Sequence, residues 1–292
     1  MIITKVRLEE ENPMTKLSFP PVSYPLQTVD LNVDSSAGYN GYILKAVAGL
    51  DPTELVQVVD GFDINGVPNI EDVPEKRQLV LKIGLQPTLS HTYSRLRDEL
   101  YQFVSRTMLV KLMHDSLIVA QAVGYISRPE ASHFTNRPEM LLTIECEKGE
   151  FNAPEAVDIP LALLDPSKVV IPYQEGTAPA GLEMQWTVTA NHNDFAFFDH
   201  SHVRRQGGVQ PSNRFEVTYP FLDNDIITLN THPGERQVYV TRASVVTDLA
   251  GYLNAGAVWP KLYPGINAFE WNVAPGWMVW DYARYTPRFW GV

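Results

Sequence analysis

Short apolar runs, many alternating with polar residues and bounded by Gly, Pro, Asn or Asp, recur along the whole chain. They are rich in Val, Ile, Thr and aromatic residues, which is the pattern of half-buried β-strands. No longer repeat accompanies them, so a solenoid or propeller is not indicated. The pattern predicts a mainly β protein with antiparallel sheets, and its clearest strands are YILKAVAGL, RQLVLKIGL, MLLTIECEKG, FEVTYPF, DIITLNT and MVWDYARY.

One segment, residues 87–106, has the period of a helix instead. Its apolar side chains recur at i, i+3, i+7, i+10 and i+11, which places them on one helix face: Tyr93, Leu96, Leu100, Phe103 and Val104. Thr88 or Ser90 offers an N-cap. Strands are predicted before it, at 78–85, and after it, within a long hairpin over 108–147. We expect the helix to pack across an open face of the N-terminal sheet.

A change in composition indicates two domains. Residues 151–180 are rich in Pro, Ala and Gly and contain an Asp-Pro step, which is typical of a connection rather than a core element. A length of 292 residues is compatible with two domains. We therefore predict an N-terminal β domain over residues 1–150, with the helix, and a C-terminal β domain over residues 151–292.

The C-terminal half contains a predicted β-hairpin and a tight turn. Strands over 226–230 and 236–241 flank the turn His232-Pro233-Gly234-Glu235, and Asp223 and Asp225 open the first strand. Pro264-Gly265 forms a second turn, where glycine tolerates a positive φ. Together these features predict a compact β-sandwich.

The last stretch of the chain, residues 259–292, is unusually aromatic, with five of the six tryptophans. We interpret it as a final pair of strands turning at Pro275-Gly276, so that the C-terminus is a central structural strand. Strand alternation predicts two faces, with Met278, Trp280 and Tyr282 on one and Trp277, Val279 and Asp281 on the other. In an alternative interpretation Trp277 and Trp290 form an exposed patch for contact with a glycan or a protein partner.

Charge and cysteine content narrow the classes of function. The net charge is −11, which opposes general adhesion to DNA or to an anionic membrane. A single cysteine, Cys146, excludes an intrachain disulfide and lies in a strand-like run where we expect a small buried side chain. No apolar leader or membrane-length span is present in the sequence, so we expect a soluble protein made inside a cell and no membrane insertion.

Candidate chemistry is weak throughout the chain. His200 and His202 could meet a metal from one side of a strand, but no third ligand accompanies them, and a polar loop is the favoured interpretation. Nucleophile motifs, phosphate-binding loops and dinucleotide fingerprints are absent from the sequence. We therefore predict no catalytic residue, no metal site, no cofactor and no enzymatic activity.

Several of these features together resemble the siphophage distal tail protein family, whose members are phage tail or minor tail proteins. The resemblance rests on the terminal run YARYTPRFWGV and on a series of C-terminal positions: Asp225-Ile226-Ile227-Thr228-Leu229-Asn230, Trp259, Leu262, Pro264-Gly265 and Asn267. The order of extended lead-in, strand, helix, strand and long hairpin in the N-terminal half is similar to the family's ring-forming domain.

This resemblance implies a fold and a function. The fold would be an N-terminal ring-forming, split-barrel-like sheet with one helix and a C-terminal β-sandwich of galectin-like or oligosaccharide-binding type. The protein would form a hexameric ring in the virion tail tip, between the tail tube protein and the tail-tip hub protein, with receptor-binding proteins as further partners and DNA only in transit. Pairing between strand edges of the N-terminal half would join the subunits. The alternative is a carbohydrate-binding module that attaches the virion to host glycans, and a cell-wall hydrolase is a third, disfavoured hypothesis.

Overall fold

The chain is mainly β in a computed structural model. The model describes residues 3–10, 28–33, 40–62, 68–104, 106–132, 138–160, 168–173, 175–199, 213–232, 234–271 and 277–292. Helix α1 (Tyr93–Tyr101) is the one α-helix of these residues. The strands are β1 (Lys5–Glu10), β2 (Thr28–Asn32), β3 (Tyr42–Ala48), β4 (Leu55–Phe62), β5 (Pro68–Pro74), β6 (Gln78–Leu85), β7 (Thr107–His114), β8 (Leu117–Ala131), β9 (Glu139–Cys146), β10 (Phe151–Asn152), β11 (Val157–Asp158), β12 (Lys168–Tyr173), β13 (Ala180–Val188), β14 (His192–Asp199), β15 (Asn213–Phe221), β16 (Ile226–Asn230), β17 (Gln237–Arg242), β18 (Val245–Asp248), β19 (Lys261–Leu262), β20 (Gly265–Trp271), β21 (Met278–Tyr285) and β22 (Arg288–Phe289).

The chain divides into two compact β-rich units, which confirms the predicted fold class. The first unit comprises Met1–Val56, Val73–Pro154 and Phe289–Val292, and the second comprises Gln57–Asp72 and Glu155–Arg288. The chain therefore passes between the units four times, and each unit contains residues from both halves of the sequence.

Seven strands of the first unit close into a barrel. Their order is β8-β7-β1-β2-β3-β6-β9, and β9 pairs back with β8. The pairs are antiparallel except β2–β3, which is parallel and joined at Asn32 and Ile43. Closure gives each of the seven strands a neighbour on either side. The exposed strand edges expected in this half are therefore found in these seven strands only where β2 and β3 meet, since one residue pair joins them.

Helix α1 buries one face in the barrel core, as its apolar period predicts. Leu96, Leu100 and Phe103 are buried there, but Tyr93 is exposed. The helix is shorter than predicted and begins after Thr92, whose hydroxyl accepts from the Arg95 N–H at 3.4 Å. Neither predicted cap is the N-cap, because residues 88–91 form a separate turn.

The second unit is a β-sandwich, as predicted. One sheet has the order β11-β21-β13-β16-β17-β18, with β19 also pairing with β13, and the other has the order β12-β20-β14-β15. The predicted hairpin is present as β16 and β17. The prediction that residues 151–180 are only a connection is wrong, because β12 pairs with β20 and buries Ile171 and Tyr173 in the core.

The final strands are not a pair. β20 lies between β12 and β14 in one sheet, whereas β21 lies between β11 and β13 in the other. The link between them, including Pro275-Gly276, falls outside the described residues. The prediction that the C-terminal run is an inner strand is confirmed for β21, and the prediction that it pairs with the preceding strand is wrong.

A β-bulge changes the faces of β21. Trp280 pairs with Trp186 and Tyr282 pairs with Gln185, so Asp281 is an extra residue between them. An extra residue reverses the alternation of side chains along a strand. Met278 and Trp280 consequently pack on the core, whereas Tyr282, predicted on their face, lies on the opposite one.

Candidate functional site

The predicted Pro-Gly turn is built around a fully buried asparagine. Gly265 has a φ of +114°, as the turn prediction requires. The side chain of Asn267 accepts from the Tyr263 N–H at 2.7 Å and donates to the Tyr263 carbonyl at 2.8 Å and to the Ile171 carbonyl at 3.3 Å. The turn is thus a structural clamp, which fixes β20 against β12.

Trp277, one of two tryptophans predicted as a contact residue, belongs to the core of the second unit. Its ring stacks on His192 with centroids 4.4 Å apart and planes 7° apart. Only 5% of the residue is exposed, so it presents little surface to a ligand. Exposure of Trp277 was the alternative interpretation of the sequence, and its packing partner on β14 is distant in sequence.

Trp290, the other predicted contact residue, is half-buried and lies in a segment anchored to the first unit. Its carbonyl accepts a hydrogen bond from Nη2 of Arg77. Arg77 is buried and also donates to the carbonyls of Gly49, Asp51 and Gly149, while its guanidinium stacks 4.3 Å from the Phe151 ring centroid. Burial lowers the pKa of Arg77, and the converging carbonyls stabilise its charge.

The barrel surface carries mutually compensated charges. Arg7 and Lys5 both bind Asp30, at 2.6 Å and 2.7 Å, and Lys111 binds Glu9 on the neighbouring strand. Cross-strand pairs of this kind stabilise a sheet modestly. These ion pairs neutralise the charges of the residues that form them.

A second surface combines large exposed side chains around helix α1. Leu89, in the loop before the helix, is fully exposed at 112%. Tyr93, Arg97 and Tyr101 follow at a spacing of four residues on one helix face, and the Arg97 guanidinium lies 5.8 Å from the Tyr101 ring centroid. Tyrosine and arginine are residue types enriched at the hot spots of protein interfaces, and Leu89 adds exposed apolar area beside them. We call Leu89, Tyr93, Arg97 and Tyr101 the helix surface.

The second unit has an apolar block on the outside of its four-stranded sheet. Val170 pairs with Ala268, and Pro172 pairs with Ile266, so the four side chains adjoin. Val170 is 55% exposed and Ile266 is 65% exposed. Contiguous apolar surface marks contact sites more often than scattered apolar residues do. We call these four residues the β12–β20 patch.

The six-stranded sheet has a contrasting outer face. Paired positions across four strands carry Tyr282, Gln185, Thr228 and Tyr239 in one row. Glu183 accepts from the Tyr282 hydroxyl at 2.9 Å and from Arg284 at 2.7 Å. We call the row Tyr282, Gln185, Thr228 and Tyr239, with its polar neighbours Glu183 and Asp281, the tyrosine face.

The described residues contain neither a metal-binding cluster nor an exposed thiol. Within the described ranges no group of three or more His, Cys, Asp or Glu side chains is arranged to hold a metal ion, and His200 and His202 lie outside those ranges. Cys146 is buried, as predicted, and burial raises the pKa of its thiol to about 11.

Among the described residues no helix is long and apolar enough to cross a membrane.

The two units together have a counterpart among solved structures. No family model and no characterised relative matches the chain by sequence. The crystal structure of the phage SPP1 Dit (gp 19.1) protein, described as a paradigm of the hub adsorption apparatus in phages that infect Gram-positive bacteria, matches with a TM-score of 0.57 and 10% identity, covering 86% of this chain and 94% of that one. The phage P2 baseplate in its activated conformation with Ca matches more distantly, with a TM-score of 0.43, 8% identity and coverage of 99% and 98%.

The likeness to SPP1 Dit defines a class by fold. The chain has a fold similar to that of this phage Dit protein, and the resemblance to the siphophage distal tail family is thereby confirmed at the level of fold. The sequence motifs that indicated it are the Asn267 clamp and the terminal strand. The sequence analysis did not identify the three surfaces named above. The β12–β20 patch and the tyrosine face combine residues from strands that only folding brings together, whereas the four-residue spacing of Tyr93, Arg97 and Tyr101 was a local signal for the helix surface.

Proposed function

We propose that the protein is a structural component of a phage tail tip, a distal tail protein that joins the tail tube to the tail-tip hub and the host-recognition apparatus. Six copies form a ring around a channel through which DNA passes. The observation that carries this proposal is the fold likeness to SPP1 Dit, which extends over both units and almost the whole of that chain. The protein acts in the virion tail and is synthesised in the host cytoplasm.

The ring contacts are assigned to the first unit, which takes most of its residues from the predicted domain 1–150. Most strand edges of the closed barrel are paired, and β2 and β3 are joined through one residue pair, so we assign the subunit contact to side-chain surfaces. The helix surface has the composition of an interface anchor. A ring forms when one heterologous contact is repeated from subunit to subunit until the circle closes. In this contact Leu89 is the side chain that protrudes into the neighbouring subunit.

The β12–β20 patch is assigned to a tail protein rather than to a ligand. An exposed block of Val, Pro, Ile and Ala has no hydrogen-bonding group with which to orient a small polar molecule, but it suits an apolar protein surface. The same four residues give no catalytic or cofactor-binding group. The role proposed for the chain is accordingly structural and non-enzymatic.

Negative-stain imaging of the purified full chain tests the proposal. The expected particle is a ring with a central opening, and the variant Leu89→Glu should reduce the fraction of rings because it places a charge in the subunit contact. Leu117→Glu is the matched control, since Leu117 is also an exposed leucine of the first unit, at the start of β8. Uniform small particles at every concentration would contradict the proposal.

A second function, carbohydrate binding, is favoured by a separate observation, the tyrosine face of the second unit. Contact of Trp277 or Trp290 with a glycan remains a prediction, and half-buried Trp290 is the better placed of the two. The two functions are compatible, because a ring would present six copies of any weak binding site.

A further inference from the structure

The outer face of the six-stranded sheet has the chemistry of a ligand site. Strand pairing sets Tyr282 of β21 beside Gln185 of β13, Gln185 beside Thr228 of β16, and Thr228 beside Tyr239 of β17. Their sequence neighbours Trp186, Ile227 and Val238 face the core. The row therefore points away from the core, with one tyrosine at each end.

The two tyrosines at the ends of the row are only partly exposed. Tyr282 and Tyr239 are half-buried although they point outward, and the Arg284 guanidinium lies 5.1 Å from the Tyr282 ring centroid. The hydroxyl of Tyr282 is fixed by its 2.9 Å hydrogen bond to Glu183 on the adjacent strand. Thr228, between the tyrosines, is buried despite its outward direction. We call the accessible parts of the two tyrosine rings the platform.

Polar groups beside the platform are held in place before any ligand arrives. Asp281, the extra residue of the β21 bulge, accepts from Thr187 at 3.0 Å and from Gln185 at 3.2 Å. Glu183 accepts from Arg284 as well as from Tyr282. Carboxylate oxygens have several acceptor sites, so both groups retain capacity for further donors. Pre-ordered partners reduce the entropy lost on binding.

The chemistry of the tyrosine face selects its ligand. Flat rings pack against the apolar C–H faces of a sugar, and fixed carboxylates and amides bind its neighbouring hydroxyls. Nucleic acid is disfavoured because Asp281 has no cationic partner in its hydrogen bonds and the protein is acidic. A large protein partner is disfavoured for two reasons. Charged residues, here Glu183 and Asp281, are depleted from the cores of protein interfaces. The exposed apolar residues Val279 and Val246 lie at opposite sides of this sheet face and so do not form one patch.

We propose that the tyrosine face binds a neutral oligosaccharide, with Tyr239 and Tyr282 as the stacking platform and Gln185, Glu183 and Asp281 as hydrogen-bonding partners. This inference rests on the second function proposed above and gives it a site in place of Trp277. It does not depend on ring formation, which is measured separately by particle mass. Affinity per site is expected to be weak, with six copies in a ring increasing the avidity.

The test applies the full chain to a printed glycan array and then titrates the best neutral oligosaccharide by saturation-transfer NMR. Tyr239→Ala and Tyr282→Ala should each weaken binding roughly tenfold, which corresponds to about 1.4 kcal/mol. Tyr125→Ala is the matched control. Tyr125 is likewise a strand tyrosine whose hydroxyl donates to a glutamate, Glu145 at 2.7 Å, but it lies in the barrel. The control should bind as the unaltered chain does.

If an alanine variant fails to fold, a conservative variant and hydrogen exchange of the unaltered chain test the same site. Tyr282→Phe retains the ring and should keep binding within about threefold, and hydrogen exchange of the unaltered chain with the bound sugar should show protection in β13, β16, β17 and β21. Absence of any glycan signal, protection confined to other strands, or unchanged binding in a folded Tyr239→Ala/Tyr282→Ala double variant would each overturn the proposal. A ring without glycan binding would leave the tail-tip function standing and reject only this inference.

Discussion

Asp225 and Arg242 form a two-pronged ion pair that fixes the start of β16 to the end of β17. The Arg242 Nε and Nη2 groups donate to the two carboxylate oxygens of Asp225 at 2.8 Å and 2.6 Å. Asp225 is 1% exposed and also accepts from the Leu222 N–H at 2.8 Å. Burial alone would raise the pKa of Asp225, but the hydrogen bonds from Arg242 and Leu222 outweigh it and hold the pKa below its ordinary value.

Removing Arg242 should therefore destabilise the second unit more than neutralising Asp225. We expect Arg242→Ala to cost about 3 kcal/mol, because it leaves a buried carboxylate without its cation, and Asp225→Asn to cost less, because Arg242 is partly exposed. The lowered pKa means that the pair stabilises the fold above the ordinary pKa of aspartate and is lost as pH falls through the lowered value. Urea unfolding at neutral and acidic pH measures both, and equal costs at every pH would contradict the assignment.

The Asn267 clamp predicts a large effect from a small substitution. Asn267→Ala should cost about 2–3 kcal/mol, because the buried Tyr263 and Ile171 backbone groups lose their partners. Asn191→Ala is the control, since Asn191 is exposed and accepts a single hydrogen bond, from the Asp223 N–H; it should cost under about 1 kcal/mol. Thermal unfolding of the two variants provides the comparison, and similar costs would show that the turn does not depend on Asn267.

The β17–β18 hairpin turn should accept a stabilising substitution. Its central residues, Ala243 and Ser244, have φ values of +47° and +69°, and Arg242 pairs with Val245 across them. Asn-Gly is the preferred sequence for such a turn. We expect Ala243→Asn/Ser244→Gly to raise the free energy of unfolding by about 0.5–1 kcal/mol. No gain in chemical denaturation would mean that neighbouring contacts already relieve the strain.

Two leucines near helix α1 should respond in opposite ways. Leu100 is fully buried, and Leu100→Ala should cost about 2–5 kcal/mol through the cavity it leaves. Leu89 is fully exposed, so Leu89→Ala should change the stability of the subunit by less than about 0.5 kcal/mol. Urea unfolding distinguishes them. A similar loss in both would show that the 86–92 loop packs on the barrel.

The Arg77 anchor predicts how the C-terminal segment behaves. Arg77→Met should cost at least about 3 kcal/mol, because several buried carbonyls lose a donor, and it should increase hydrogen exchange in residues 289–292. Arg128→Met, at an exposed surface ion pair with Glu130, is the control and should have little effect.

A fragment ending at residue 150 lacks the Trp290 carbonyl, so it tests ring formation in a weakened unit. Assembly is better measured on the full chain.

Local sequence patterns were sufficient to predict individual strands and the buried face of helix α1. β6, β16 and β17 agree with the predicted bounds within about one residue, because alternation and turn residues are properties of neighbouring positions. Barrel closure, the separation of β20 from β21 and the bulge at Asp281 depend on which distant strands pair, and no local pattern specifies that. Buried Arg77 was missed for a similar reason, since its carbonyl partners come from three separate segments.

The mass of the full chain across a concentration series tests the central claim most directly. A ring of six copies of a 32.9 kDa chain has a mass of about 197 kDa, and mass action predicts that its fraction increases with concentration. We expect this species, with its fraction reduced by Leu89→Glu and unchanged by Leu117→Glu. A strict monomer at every concentration, including in the presence of the neighbouring tail proteins, would contradict it.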